Sequence, residues 1–277
     1  MGIGKSWQTT LAFRRFREKL HDLSRVYWTH ELGAEAVKKH LDGVDRTEFT
    51  VDVIGCSFDR RMHPQKVSET EGWMPKYLER VRLHGLIITS AILESYIKDI
   101  TFDHLASIGY LKTPKNKNEL LKLNDLGEAL GSPILSRSSI PEPLKFAEKL
   151  FELDYGANRT IWNKAYKLRC VAAHNGGMVM PKTQRQIPDL SIPEFNMIGI
   201  SWDELRKAMN AADNIVSMTD YKVSNYSIWI IEAEQLLRIL NMKGRLPERK
   251  KIWTVLHDEF GFNVKRKDKL RLERMFY

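Results

Sequence analysis

The stretch LIITSAILESYIKDI, Leu86–Ile100, lies in the longest regular segment of the chain and decides its fold class. Apolar side chains recur in it three or four residues apart, which is the spacing of one face of an α-helix. The same pattern extends over Met74–Ser107 and predicts one long helix. We therefore start from a helical protein and ask which other segments fit it.

Most of the remaining chain also has helical periodicity, and the predicted fold class is all-α. Ser201 is a plausible N-cap, with Glu204 as its capping-box partner. The alternation of apolar residues in TEFTVDVIGC, Thr47–Cys56, predicts one strand and with it a small β-hairpin. The further predicted helices are two in Met1–Asp42, one over Asn118–Leu130, one in Ser139–Leu153, one over Asn158–His174, one from Ser201 to Leu240 broken near Asp220, and one from Pro247 to Phe260.

The charge of the chain is concentrated at its two ends. The 277 residues are 43% hydrophobic, enough for a real core, and carry a net charge of +9. Met1–Arg25 contains six basic and two acidic residues, and Lys243–Tyr277 contains eleven and five. Basic ends favour a polyanionic partner, most often nucleic acid, although a merely soluble surface also explains them.

Several classes of protein do not fit this sequence. The two cysteines, Cys56 and Cys170, are too few for a disulfide framework or a zinc site, which favours a reducing, cytoplasmic setting. The chain lacks an apolar run long enough to span a bilayer, so no membrane partner is expected. His-Glu-x-x-His and Gly-x-Ser-x-Gly are absent. The segment PDLSIPEFN, Pro188–Asn196, lacks the lysine of a metal-dependent nuclease, so we expect neither a metal nor a cofactor.

The stretch YKLRCVAAHNGGMV, Tyr166–Val179, carries the chemistry we consider most informative. Arg169 can bind phosphate oxygens through two parallel hydrogen bonds, and His174 can move a proton near neutral pH. Residues five apart on a regular helix point about 140° apart and lie about 7.5 Å apart along the axis. The two side chains therefore meet only if the helix loosens at Asn175 and the following glycines, or if two chains share one site.

The same residues also have an ordinary structural interpretation. Arg169 can pair with a carboxylate such as Glu148. His174 can cap the last carbonyl groups of its helix. Spacing alone does not decide between these alternatives and a catalytic site.

The stretch resembles the signature motif of the HEPN superfamily of α-helical domains, many of which are RNA endonucleases. That motif is an arginine followed, after four to six residues, by a histidine at the end of a helix. Here the four residues CVAA separate Arg169 from His174. The HNGG turn and the long upstream helix, with an acidic residue near its middle, are similar too. The resemblance covers about Met74–Leu240. One departure is Cys170, because many active members have Asn, Asp or His directly after the arginine.

The resemblance implies a metal-independent ribonuclease, a toxin or an effector of defence against phage. It implies cleavage to a 2′,3′-cyclic phosphate and a 5′-hydroxyl, in a site shared by a homodimer, with an antitoxin or defence protein as a further partner. The predicted catalytic residues are Arg169, His174, Asn175 and Glu94. Lys167, Arg185, Lys265, Arg266 and Lys267 are predicted to contact RNA. For Glu94, Lys167 and Arg185 the alternative is a solvated surface charge; for the basic tail it is a docking segment for a partner protein or a swapped arm in a dimer.

We expect three parts: an N-terminal helical extension (1–73), a HEPN-like helical domain (74–241) and a basic C-terminal extension (242–277). Two other functions fit the same residues. One is a non-catalytic HEPN module that binds RNA, nucleotide or a partner protein. The other is a nucleic-acid-binding structural protein in which Arg169 and His174 only shape a turn.

Overall fold

A computed structural model of the chain describes residues 9–55, 61, 65–108, 141–174, 176–187 and 192–277. Within these ranges the backbone forms helices and two isolated bridges, with no extended strand, so the all-α fold class is confirmed. The predicted helix Asn118–Leu130 lies outside the described residues. The helices are α1 (Leu11–Leu41), α2 (Thr50–Ile54), α3 (Val67–Ser107), α4 (Pro141–Phe151), α5 (Ala157–His174), α6 (Pro181–Gln186), α7 (Trp202–Val223), α8 (Tyr226–Met242), α9 (Ile252–Asp258) and α10 (Arg266–Phe276).

The N-terminal part of the chain corrects the prediction of two helices in Met1–Asp42. Residues Leu11–Leu41 form one helix of 31 residues. Gly33 lies inside it, with open space around the position of a Cβ. A glycine inside a helix is unfavourable by about 1 kcal/mol relative to alanine, and that is too little to interrupt a long helix held by packing.

The predicted strand and hairpin in Thr47–Cys56 are wrong, because Thr50–Ile54 forms the short helix α2. Gly55 ends it with the left-handed φ of 67° that glycine tolerates. Phe49 keeps a single antiparallel bridge to Lys66. Short apolar runs fit a strand and a buried helical turn equally well, and here the tertiary contacts decide.

The other predicted helices agree with the structure apart from their ends. α3 is the predicted long helix, although it begins at Val67 and contains Pro75. The capping box is present: the Glu204 backbone N–H donates to Ser201 Oγ at 3.2 Å, and the Ser201 N–H donates to Glu204 Oε2 at 2.8 Å. The break expected near Asp220 lies after Val223, and Asn225 caps the start of α8.

The described chain divides into two compact units. The first contains Met1–Arg17, Leu93–Arg159 and Asp213–Tyr277, and the second contains Glu18–Ile92 and Thr160–Ala212. The division falls inside α1, α3, α5 and α7, so each of these helices contributes residues to both units. The three-part domain organisation expected from the sequence stays a prediction.

The first unit includes apolar residues of the basic C-terminal extension in its core. Ile252, Leu256 and Leu272, from α9 and α10, are fully buried beside residues of α8. The tail Asn263–Tyr277 is therefore mostly the helix α10, packed on α8, rather than a free arm.

The second unit contains most of α5, the helix that carries Arg169 and His174, and most of α1. Tyr27 of α1 contacts α3 at Gly85, where an added Cβ would lie 2.7 Å from the tyrosine ring. Arg82 donates to both carboxylate oxygens of Glu31, at 2.6 and 2.9 Å. These contacts hold α1 to α3 in this unit.

None of the helices that the structure describes has both the length and the apolar character required to cross a bilayer.

Candidate functional site

The motif helix α5 is held by an apolar face of its own. Its buried side chains are Trp162, Ala165, Tyr166, Leu168 and Val171, at the spacing of a helix face. Arg169 and Cys170 are only half-buried, and Lys167 and His174 are exposed. The helix therefore brings Arg169 to the boundary between core and solvent and leaves His174 in solvent.

The end of α5 has the predicted left-handed glycines. Gly176 and Gly177 have φ values of 59° and 87°, and the Gly177 N–H donates to the Val171 carbonyl at 3.2 Å. Asn175 lies outside the described residues. The helix is regular through His174, so the turn starts too late to change the directions of Arg169 and His174, which differ by about 140°.

The guanidinium of Arg169 has an unsatisfied donor. Its Cζ lies 5.4 Å from the ring centroid of Tyr166. Its Nε is buried and has no hydrogen-bond partner among the residues described, and none of their carboxylates forms an ion pair with it. A buried polar group without a partner loses about 1–3 kcal/mol of solvation, which an incoming acceptor such as a phosphate oxygen would restore.

Neither an ion pair between Arg169 and Glu148 nor a helix cap formed by His174 is present in the described part of the chain. Glu148 accepts hydrogen bonds from Arg159 and from the Tyr155 backbone N–H, both residues of the first unit. His174 makes no side-chain hydrogen bond with any residue described, so it does not cap carbonyls there. Neither motif side chain is therefore engaged in these two ways by a described residue.

The segment around the motif carries uncompensated positive charge. Residues 160–200 contain five lysines and arginines against two carboxylates, Asp189 and Glu194. Within the ranges described, none of the five forms a salt bridge, whereas Arg82 and Arg206 in the same unit do. These cations are Lys164, Lys167, Arg169, Lys182 and Arg185. Sequence reasoning identified three of them and missed Lys164 and Lys182, which a charge count over the segment would have found.

Glu94 belongs to the first unit, whereas Arg169 and His174 belong to the second. Its carboxylate pairs with Lys98, four residues on along α3, at 3.6 Å. Its side chain is 25% exposed. That is an ordinary helix ion pair, and a catalytic role for Glu94 stays a prediction.

The predicted RNA contacts of the tail lie where α10 begins, in the first unit. Lys265, Arg266 and Lys267 are all exposed. Lys265 Nζ lies 4.4 Å from the Tyr226 ring centroid, a cation–π contact that restrains it. Arg266 and Lys267 form no salt bridge with any described carboxylate, so they remain the better candidates for phosphate contacts.

A pair of short extended segments follows α5, and sequence reasoning missed it. Met178 forms an antiparallel bridge with Met197. Met178, Met180, Phe195 and Met197 are large apolar residues with exposed side chains. The sequence shows only a loop with glycines and prolines, because the pairing depends on residues far apart in the chain.

A cavity and a possible metal-binding cluster are the two other kinds of site that the described part of the chain can offer. A cavity of about 480 Å³ in the second unit lies between α1 and α3, and neither Arg169 nor His174 lines it. Among the described residues, no three His, Cys, Asp or Glu side chains come together as metal ligands.

Comparison of the chain with protein-family models, with curated proteins and with solved structures found no match.

Proposed function

We propose that this chain is a metal-independent endoribonuclease of the HEPN type, acting as a toxin or as an effector of defence against phage. The observation that carries the proposal is the state of Arg169, whose buried Nε has no partner in the described residues, on a helix that ends with the exposed His174. Arginine and histidine are sufficient for phosphodiester cleavage, because charge stabilisation and proton transfer are the two requirements.

In the proposed reaction, the 2′-hydroxyl of RNA attacks the adjacent phosphorus. Its proton passes to a His174 imidazole as the new P–O2′ bond forms. The P–O5′ bond then breaks, and the leaving 5′-oxygen receives a proton. Arg169 stabilises the negative charge on the phosphorane through its guanidinium. The products carry a 2′,3′-cyclic phosphate and a 5′-hydroxyl.

A shared site in a homodimer fits this chemistry better than a site in one chain. Arg169 and His174 point in different directions on a helix that stays regular through both. A two-fold pair of chains would form two equivalent sites, each combining Arg169 of one chain with His174 of the other. His174 accepts the first proton, and solvent supplies the proton for the leaving oxygen. The unpaired cations of α5 and α6 would attract the RNA backbone.

The test is cleavage of end-labelled total RNA and transfer RNA by the purified protein in EDTA, with the product ends mapped. We expect cyclic phosphate ends from the wild type. His174→Ala should lower the rate about 100- to 10,000-fold, as loss of a general acid or base does. Arg169→Ala should lower it about 100- to 1,000-fold. Arg169→Lys keeps the positive charge but loses the two parallel N–H donors of the guanidinium, so it should recover only part of that loss.

Mixing the two inactive variants tests the shared site. In an equal mixture of Arg169→Ala and His174→Ala chains, half of the dimers are mixed, and one of the two sites in each is intact. We therefore expect about 25% of the wild-type rate. No recovery, with dimers exchanging, would place each site within one chain.

The alternative function is a HEPN module that binds RNA, nucleotide or a partner protein without cleaving RNA. Cys170 favours it, because the thiol is a weak hydrogen-bond donor where active members have a polar residue. A folded dimer that binds RNA but leaves it intact in EDTA would support this alternative. Cleavage that survives both substitutions would mean that the site lies elsewhere.

A further inference from the structure

Backbone hydrogen bonds join residues 177–179 to residues 195–198. The Ile198 N–H donates to the Gly177 carbonyl at 2.7 Å, and the Val179 N–H donates to the Asn196 carbonyl at 2.9 Å. These two bonds flank Met178 and Met197, so that pair is of the closely spaced type with side chains in contact range. The chain next to the motif is therefore anchored.

Phe195 occupies a position that normally requires glycine. Its N–H donates to the Val179 carbonyl at 2.8 Å, so Val179 faces both Phe195 and Asn196. This is the hydrogen-bond pattern of a bulge whose first residue is left-handed and usually glycine. Phe195 has a φ of 64°, which is unfavourable for a residue with a Cβ.

The unfavourable backbone is not explained by packing of the phenylalanine ring. Phe195 is 64% exposed, while its neighbours in the paired segments, Val179 and Ile198, are buried. Backbone strain of this kind is found disproportionately at ligand contacts. Met178, Met180 and Met197 are exposed beside it, and we call these four residues the Phe195 surface.

The charge around the Phe195 surface favours one class of occupant. Lys182 and Arg185 follow it on α6, and Lys164 and Lys167 lie on α5, all exposed. Glu194 is the only carboxylate among the described residues of 160–200. Glu79 of α3 is a further carboxylate in this part of the unit and lies against Gly199. An apolar surface near in sequence to four cations that form no ion pair with a described residue suits a ligand that has flat apolar faces and negative charge. Single-stranded RNA has both, and its unstacked bases bind aromatic side chains.

We propose that the Phe195 surface is a nucleobase platform, on which an unpaired base stacks beside the scissile phosphate. Phe195 supplies the ring, and the flexible methionines supply contacts that adapt to different bases. The inference rests on the proposed ribonuclease function. It adds a substrate class to it: single-stranded RNA, bound with little preference for sequence.

The test measures binding in EDTA on the His174→Ala protein, so that cleavage cannot interfere. The probe is a short single-stranded RNA carrying one 2-aminopurine, whose fluorescence falls when it stacks. Phe195→Gly on this background should weaken binding about 5- to 100-fold and abolish the quenching, as loss of one base–aromatic stack does. Phe195→Leu should be intermediate, because it keeps apolar bulk without the ring.

Two controls separate the platform from a packing role. Leu32→Ala removes a similarly exposed apolar residue of the same unit and should leave binding unchanged. Phe195→Gly should keep or raise the melting temperature, since glycine adopts a φ of 64° without strain. A clear fall in melting temperature would make Phe195 a packing residue and overturn the proposal.

Further outcomes of these experiments also test the nucleobase platform. Equal affinity of the parent and Phe195→Gly, or equal affinity for duplex and single-stranded RNA, would overturn the platform. Loss of self-association in Phe195→Gly with RNA affinity unchanged would make the surface a contact between two copies of the chain. If binding depends on Phe195 but the wild type does not cleave RNA, the nuclease proposal is contradicted and the platform is supported. If the wild type cleaves RNA but binding does not depend on Phe195, only the platform is contradicted.

Discussion

Glu232→Gln is expected to change how the stability of the protein depends on pH. Glu232, on α8, is 3% exposed, and its two carboxylate oxygens accept the backbone N–H groups of Leu11 and Ala12 at 2.8 and 3.1 Å. These N–H groups are in the first turn of α1, where they lack partners within the helix. A buried carboxylate thus accepts hydrogen bonds from the N-terminus of a helix of 31 residues.

The environment of Glu232 raises its pKa from 4.5 to about 7. Burial is the main cause, since it disfavours the charged form. The hydrogen bonds from Leu11 and Ala12 lower the pKa, the charge of Asp220 raises it, and the charge of Arg14 lowers it. The net shift is upward because desolvation outweighs the two donors.

The sign of the pH effect follows from this shift. Between pH 4.5 and about pH 7 the folded protein holds the Glu232 proton and the unfolded chain does not. The free energy of unfolding therefore falls as the pH rises through that range. A shift of this size is worth about 3.4 kcal/mol in total, of which about 2.5 kcal/mol is lost between pH 5 and pH 8.

The assay is denaturant unfolding of the wild type and Glu232→Gln at several pH values from 5 to 8. Glutamine cannot ionise, and it leaves one backbone N–H with a poorer acceptor, at a cost of about 1 kcal/mol at every pH. The variant should be less stable at pH 5 and should gain about 2.5 kcal/mol relative to the wild type by pH 8. Glu248→Gln, at a well-exposed carboxylate, is the matched control and should change neither the free energy of unfolding at pH 5 nor its dependence on pH. Parallel curves for the wild type and Glu232→Gln would refute the reasoning.

Two further predictions concern local packing and capping. Gly85→Ala should lower the free energy of unfolding by about 1–3 kcal/mol, because the new methyl group would overlap the Tyr27 ring, 2.7 Å away; Gly33→Ala, with open space, should raise it by about 0.5–1 kcal/mol in the same thermal melts. Equal effects of the two substitutions would contradict the close contact. Ser201→Ala should destabilise by about 0.5–2 kcal/mol through loss of the cap of α7, which hydrogen exchange at Glu204 would report as faster exchange in that turn. Unchanged exchange there would exclude the capping role.

Helices with strong periodicity and explicit end signals could be read from the sequence. The long helix α3, the Ser201 cap and the left-handed glycines after His174 all depend on residues within a few positions of one another. The motif itself is local for the same reason, since Arg169 and His174 lie on one helix. Local signals are reliable where no distant contact opposes them.

The sequence could not show which of these residues lack partners. The unsatisfied Nε of Arg169 is a property of its surroundings in the second unit. The left-handed Phe195 also depends on pairing, because Val179 must hydrogen-bond Asn196 across a long loop. The sequence contains the residues of the candidate site, and the tertiary contacts decide which of them are free to bind a ligand.

What the sequence by itself determined is therefore the helical class, most helix positions, the positive charge and the Arg169–His174 motif. Only the tertiary structure decided that α1 is one helix and that Thr50–Ile54 is helical rather than extended. It also decided that Glu232 receives the start of α1, although these residues are 221 positions apart. The physical reason is that periodicity and caps act over a few residues, whereas burial and hydrogen-bond partners are set by segments that meet only when the chain has folded.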